Sequence, residues 1–121
     1  MQIRTFKDLM VWQKSYQLAL DIYKISKNFP SEEKFGLTSQ IRRAAISVPS
    51  NIAEGYARRY IKSYISFLKI SHGSIAEVET QILISKDLGY TKEETLKKII
   101  IKCTEIQKML WALIRSLEKY I

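Results

Sequence analysis

The chain has 121 residues, the length of one domain. Apolar residues make up 46% and charged residues 26%, ordinary globular usage that excludes disordered and fibrous classes. The 4 Gly and 2 Pro are too few for a turn-rich β sandwich or barrel, and 20 Lys and Arg against 12 Asp and Glu leave a formal charge of +8, which suits a polyanion and points to no enzyme class.

The first helix is predicted from about Asp8 to Asn28. Leu9, Trp12, Tyr16, Ala19, Leu20 and Tyr23 recur at spacings of 3 and 4, which places them on one face. Asp8 at the start and Lys24 and Lys27 at the end complement the helix dipole, and Phe29-Pro30 stops the helix. Ser31-Glu32-Glu33 reads as a short acidic turn that Gly36 breaks.

The second helix is predicted from about Leu37 to Arg58, on Leu37, Ile41, Ala45, Val48, Ile52 and Tyr56. Pro49 lies inside this series, lacks an N–H and crowds the carbonyl of Ala45. The apolar phase is the same on both sides of Pro49, which favours one kinked helix; a stop at Val48 with Ser50 as a new N-cap is the alternative. Asn51 is placed either to satisfy the carbonyl freed at Pro49 or to contact a ligand. The third helix, about Ile61 to Leu88, carries a stripe of Tyr64, Leu68, Ser71, Ile75, Val78, Ile82 and Ser85, and Gly89 fits the position after its last turn. Thr91-Lys92-Glu93-Glu94 matches a capping box that opens the fourth helix, on Leu96, Ile99, Cys103, Ile106, Leu110, Leu113 and Leu117. Four long helices with short links predict an all-α, antiparallel up-down-up-down four-helix bundle, with the second helix kinked at Pro49, in a single domain over residues 1–121.

A helix in a lone bundle needs one apolar stripe, and the first helix has a second: Val11, Leu18, Ile22 and Ile25. Ile100 and Trp111 flank the stripe of the fourth helix. These six are the candidate oligomer interface, with one of the two helices sandwiched between subunits; the alternative is scattered surface aliphatics.

Cys103 is the only cysteine and His72 the only histidine, which excludes an intrachain disulfide and the usual structural zinc sites. A Cys103–His72 dyad is conceivable between adjacent helices, but Cys103 sits mid-stripe as a core thiol would. No phosphate-binding glycine loop and no Glu-x-x-His pattern is present, so no catalytic residue, metal or cofactor is expected. No signal peptide or transmembrane stretch is visible in the sequence, so the cytoplasm is the expected compartment and no membrane is expected as a partner.

Charge is uneven. Between residues 37 and 76, Arg42, Arg43, Arg58, Arg59, Lys62 and Lys69 face a single acid, Glu54, so six bases less one acid give +5. Tyr56, Tyr60 and Tyr64 interleave with Arg58, Arg59 and Lys62, a mixture that suits stacking on unpaired bases together with phosphate contact. Tyrosines capping a helix connection, and a merely solvated charged surface, are the structural alternatives. The candidate nucleic-acid contacts are Arg58, Arg59 and Lys62, then Arg42 and Arg43.

The blocks Phe6-Lys7-Asp8-Leu9 with Val11-Trp12-Gln13-Lys14, Gly36 to Ala45, Ser47-Val48-Pro49-Ser50-Asn51-Ile52-Ala53-Glu54-Gly55, and Asp87-Leu88-Gly89-Tyr90 resemble the four-helix-bundle family named after the intervening sequences of bacterial 23S ribosomal RNA genes. The resemblance covers about residues 4 to 119. It implies a small bacterial cytosolic protein without established enzymatic activity, assembled as a homopentamer. A similar bundle serves as the accessory protein of diversity-generating retroelements, where it engages a reverse transcriptase and nucleic acid. Arg42, Arg43, Arg58 and Arg59 are the basic positions that match. The expected function is a non-enzymatic, homo-oligomeric bundle binding RNA, DNA or a nucleic-acid-processing protein, with a protein-interaction scaffold as the alternative.

Overall fold

The structure is a computed structural model that describes residues 2–121. Its helices are α1 (Met10–Ser26), α2 (Leu37–Arg58), α3 (Ile61–Asp87) and α4 (Glu93–Glu118), with 3-10 turns at Phe6–Asp8 and Ser31–Glu33 and no strand among the described residues. Helices adjacent in the chain pack together and α4 closes against α1, so the α1–α2 and α3–α4 edges lie on opposite sides of the bundle. The expected four-helix bundle is the observed fold.

Arg59 and Tyr60 alone separate α2 from α3, so the two helices run antiparallel in intimate contact. Small residues allow the approach. Ser71 donates to the carbonyl of Val48 at 2.8 Å, and Ser47 and Ser74 share a hydrogen bond of 2.8 Å. Gly55 lies against Phe67 and Tyr64, where an added Cβ would meet the Phe67 Cβ at 2.8 Å. The α2 helix runs through Pro49 without interruption, which removes the stop at Val48. Asn51 donates to the carbonyl of Ser47 at 2.8 Å, not to that of Ala45, so its role beside the proline is to brace the preceding turn.

Three local expectations are corrected. The first helix begins at Met10, because Asp8 instead closes a capping box with Thr5 around the 3-10 turn. Hydrogen bonds from the N–H groups of Arg4 and Thr5 hold the Asp8 carboxyl below its usual range. Thr91 does not cap α4; it is buried and shares a 2.7 Å hydrogen bond with Ser85, which leaves Lys92 at the N-cap. The end of α3 is as expected: Gly89 adopts φ 84°, and Tyr90 and Gly89 donate to the carbonyls of Ser85 and Lys86 in a Schellman closure.

The third correction concerns the face of α1. Val11, Leu18 and Ile22 are buried in the core of the single chain, and Ile25 and Ile100 pack against that core. They are therefore not a free oligomer surface. Trp111 alone among the six candidates is exposed. The face that remains outside carries Tyr16, Leu20 and Tyr23, with Trp12 half-buried beside them. Both stripes are apolar, so spacing could not rank them; purely aliphatic side chains fill an interior without an unmet polar atom, whereas a tyrosine hydroxyl needs water or a partner.

Glu33 ties the far end of the bundle together. Its carboxylate accepts from the N–H of Leu37 at 3.0 Å and from the hydroxyl of Tyr90 at 3.0 Å. Glu33→Ala leaves both donors without these partners and is expected to cost about 1–2 kcal/mol, seen as a lower urea midpoint with unchanged slope. An unshifted midpoint would show that water replaces both bonds at no cost.

Candidate nucleic-acid interface

The five basic candidates do not form one cluster. Arg42 and Arg43 lie about 22–24 Å along α2 from Arg58, at about 1.5 Å per residue. Arg42 is also engaged: it donates to the Ser26 hydroxyl at 2.7 Å and its guanidinium lies 4.6 Å from the centroid of the Tyr23 ring. That contact pins α1 to α2 and limits its use as a phosphate ligand. Arg43 is exposed and free of ion pairs among the described residues.

Arg58, Arg59 and Lys62 do gather, at the α2–α3 turn. Arg58 pairs with Glu54 at 2.7 Å and lies over Phe67 at 5.1 Å, so part of its charge is answered locally. Arg59 and Lys62 are exposed and make no ion pair among the described residues. Arg59 ends α2 in the left-handed region, at φ 61°. That conformation costs a non-glycine residue about 1 kcal/mol or more, yet the position holds a long cation. Tyr60 is the N-cap of α3 and makes no side-chain capping bond, so the first N–H groups of α3 add to the positive potential there.

Aromatic residues surround these cations. Tyr56 and Tyr64 meet edge to face, with centroids 6.0 Å apart and planes at 89°. Burial, and then the neighbouring Tyr56, push the Tyr64 phenol up to about 12, so it stays neutral. With Arg59, Tyr60 and Ile61 they line a hollow of about 230 Å³.

The up-down topology brings further cations to this end of the bundle. The chain start, with Arg4 and Lys7, and the end of α4, with Arg115 and Lys119, lie at the same end of the bundle as the α2–α3 turn. A window along the sequence could not find them, because they are the chain's extremes. Elsewhere the excess is reduced: Lys102 pairs with Asp21, and Lys14 with Glu105 at 3.0 Å, across α1 and α4.

A second surface lies on the α1–α2 edge. Trp12 stacks on Tyr16 at 5.1 Å, and Phe6 meets Trp12 edge-on at 5.2 Å. With Leu20, Tyr23 and Ile46 they line an apolar groove of about 510 Å³. The opposite edge carries Leu83 and Trp111, both exposed, with Trp111 against His72 at 5.7 Å.

The family model of the 23S rRNA-intervening sequence protein matches residues 7–112. The chain belongs to that family. Among solved structures it is similar to a protein of unknown function from the S23 ribosomal protein family of Bacteroides thetaiotaomicron VPI-5482, at 28% identity and a TM-score of 0.80, covering 87% of this chain and 95% of that one. No curated protein matches the chain. In this member of the intervening-sequence family no three His, Cys, Asp or Glu side chains cluster as metal ligands among the described residues, and no helix is long and apolar enough to cross a membrane. Cys103 is buried and its thiol is pushed up to about 12, first by burial and then by Glu79, the opposite of an activated nucleophile.

Proposed function

We propose that this protein is a non-enzymatic homo-oligomer that binds nucleic acid through the basic end of the bundle around Arg59 and Lys62. The observation that carries the reading is the pair of exposed, unanswered cations beside exposed Tyr60, on a two-residue turn. Exposed cations without local acids release counterions when they meet phosphates, so binding should fall steeply with salt. Arg58 contributes less than Arg59 because Glu54 already holds it. The inert setting of Cys103 supports a binding role over catalysis. Anisotropy titrations with RNA and DNA at two salt concentrations test the reading; no binding at low salt would end it.

Assembly would repeat the basic end several times on one particle. The α1–α2 groove is an apolar surface of the kind that marks a partner site, and a second copy is the occupant that the opposite apolar edge at Leu83 and Trp111 supports. Two unlike faces on opposite edges favour a head-to-tail ring over a two-fold dimer. The resemblance to ring-forming members makes a pentamer the preferred count, and the same resemblance favours a cytoplasmic location. Leu20 is half-exposed, so Leu20→Glu should leave the fold intact and reduce the particle to a monomer by light scattering. A wild-type protein that is already monomeric at micromolar concentration would refute the assembly.

The groove also favours a second reading, a scaffold that docks a protein partner without touching nucleic acid. Partner capture that survives nuclease treatment and persists in Arg59 and Lys62 variants would favour the scaffold.

A further inference from the structure

We propose that the hollow at the α2–α3 turn receives an unpaired nucleobase, so that this end of the bundle binds single-stranded nucleic acid in preference to duplex. The proposal rests on the nucleic-acid reading above and specifies its ligand.

Tyr56 and Tyr64 line the hollow, fixed to each other edge to face and partly buried between α2 and α3. Tyr60 also lines it, at 76% exposure, and has no aromatic partner among the described residues. Its exposed, unpartnered ring is the one available for a planar ligand to stack on. At about 230 Å³ the space is below the usual range for an extended cofactor and suits a single ring system. Arg59, whose backbone is left-handed, is among the lining residues, and Lys62 is exposed in the first turn of α3. A base in the hollow therefore has cations close by for its flanking phosphates.

This arrangement discriminates by strand state. In a duplex both faces of each base are covered by its neighbours, leaving only edges and phosphates to contact. An unpaired base offers its ring face, and stacking on tyrosine is tolerant of base identity. RNA and DNA share this chemistry, since nothing in the hollow singles out a ribose hydroxyl.

The test uses labelled single strands of RNA and of DNA, the matching duplexes, and single strands carrying abasic sites. Wild-type protein is expected to bind either intact single strand more tightly than its duplex. Abasic sites, which keep every phosphate, should weaken binding about 5- to 100-fold. Tyr60→Ala should lose a similar factor for intact strands with little change in salt dependence, and Tyr60→Phe should retain binding. Because Tyr60 is largely exposed, its truncation is compatible with the native fold, which circular dichroism checks. Equal binding of intact and abasic strands, or wild-type affinity in Tyr60→Ala, would overturn the base pocket while leaving charge-driven binding standing. Absence of binding to every probe at low salt would instead remove the underlying reading.

Discussion

An Arg59→Gly, Lys62→Ala protein is expected to lose about 100-fold in nucleic-acid affinity while melting no lower than the wild type. Each residue is a free cation at the α2–α3 turn, and a charge-assisted contact contributes about 1.5 kcal/mol or more. Two lost phosphate contacts should also flatten the dependence of log K on log salt by roughly 1.4–1.8. Stability should move the other way. Arg59 occupies the left-handed region at φ 61°, where glycine meets no Cβ clash. The gain is reduced by glycine's larger freedom in the unfolded chain, so the net change is zero to about 1 kcal/mol in favour of the variant. Lys62→Ala on an exposed first turn should change stability by less than about 0.5 kcal/mol. Arg58→Ala offers the contrast: its charge is shared with Glu54 and its guanidinium covers Phe67, so it should lose less affinity and more stability. Wild-type affinity in the double variant would place the nucleic-acid site elsewhere or nowhere.

The second large effect concerns packing. Gly55→Ala adds a Cβ that would stand 2.8 Å from the Phe67 Cβ, 3.1 Å from the Tyr64 ring and 3.3 Å from the Tyr64 carbonyl oxygen. Neither the Cβ nor the carbonyl is the free end of a flexible chain, so α2 and α3 must separate. Overpacking of this kind costs about 1–3 kcal/mol, and alanine's better helix propensity returns up to about 1 kcal/mol. The upper part of that range lowers Tm by roughly 5–10 °C. Gly73 provides the internal control. It lies in α3 with nothing within 4 Å of an added Cβ, so Gly73→Ala should stabilise by about 0.5–1 kcal/mol. If both variants shifted Tm alike, helix propensity and not the α2–α3 approach would be setting the outcome. Because Tyr64 lines the hollow at the turn, Gly55→Ala should weaken single-strand binding as well.

The helices were legible because their signals are local. Apolar residues at spacings of 3 and 4 defined α2 and α3 to within a residue, and Gly89 marked the end of α3 through its own backbone preference. Thr91 misled for the same reason. Its spacing to Glu94 satisfies a capping box, but the Schellman turn places its hydroxyl against Ser85, a contact that local spacing does not encode. Asp8 misled likewise, because Thr5 precedes it at the spacing of a different cap.

The candidate site was only half legible. Arg59, Lys62 and the three tyrosines are neighbours in sequence, so charge counting reached them. Arg42 looked equivalent to Arg43 on paper and is not, because Tyr23 and Ser26 of another helix engage it. Arg4 and Lys119 belong to the same end of the bundle, but they are separated by nearly the whole chain.

The sequence by itself determined four helices, their order, the antiparallel links and the concentration of positive charge, since each depends on residues within a few turns of one another. Tertiary structure alone decided which of two apolar stripes on α1 is interior. Val11, Leu18 and Ile22 pack inward while Tyr16, Leu20 and Tyr23 form an open groove, because burial is a property of the whole bundle's fit and not of any one helix's periodicity. It also decided which cations remain free, because an ion pair or a stacked guanidinium is made between helices that meet only after folding.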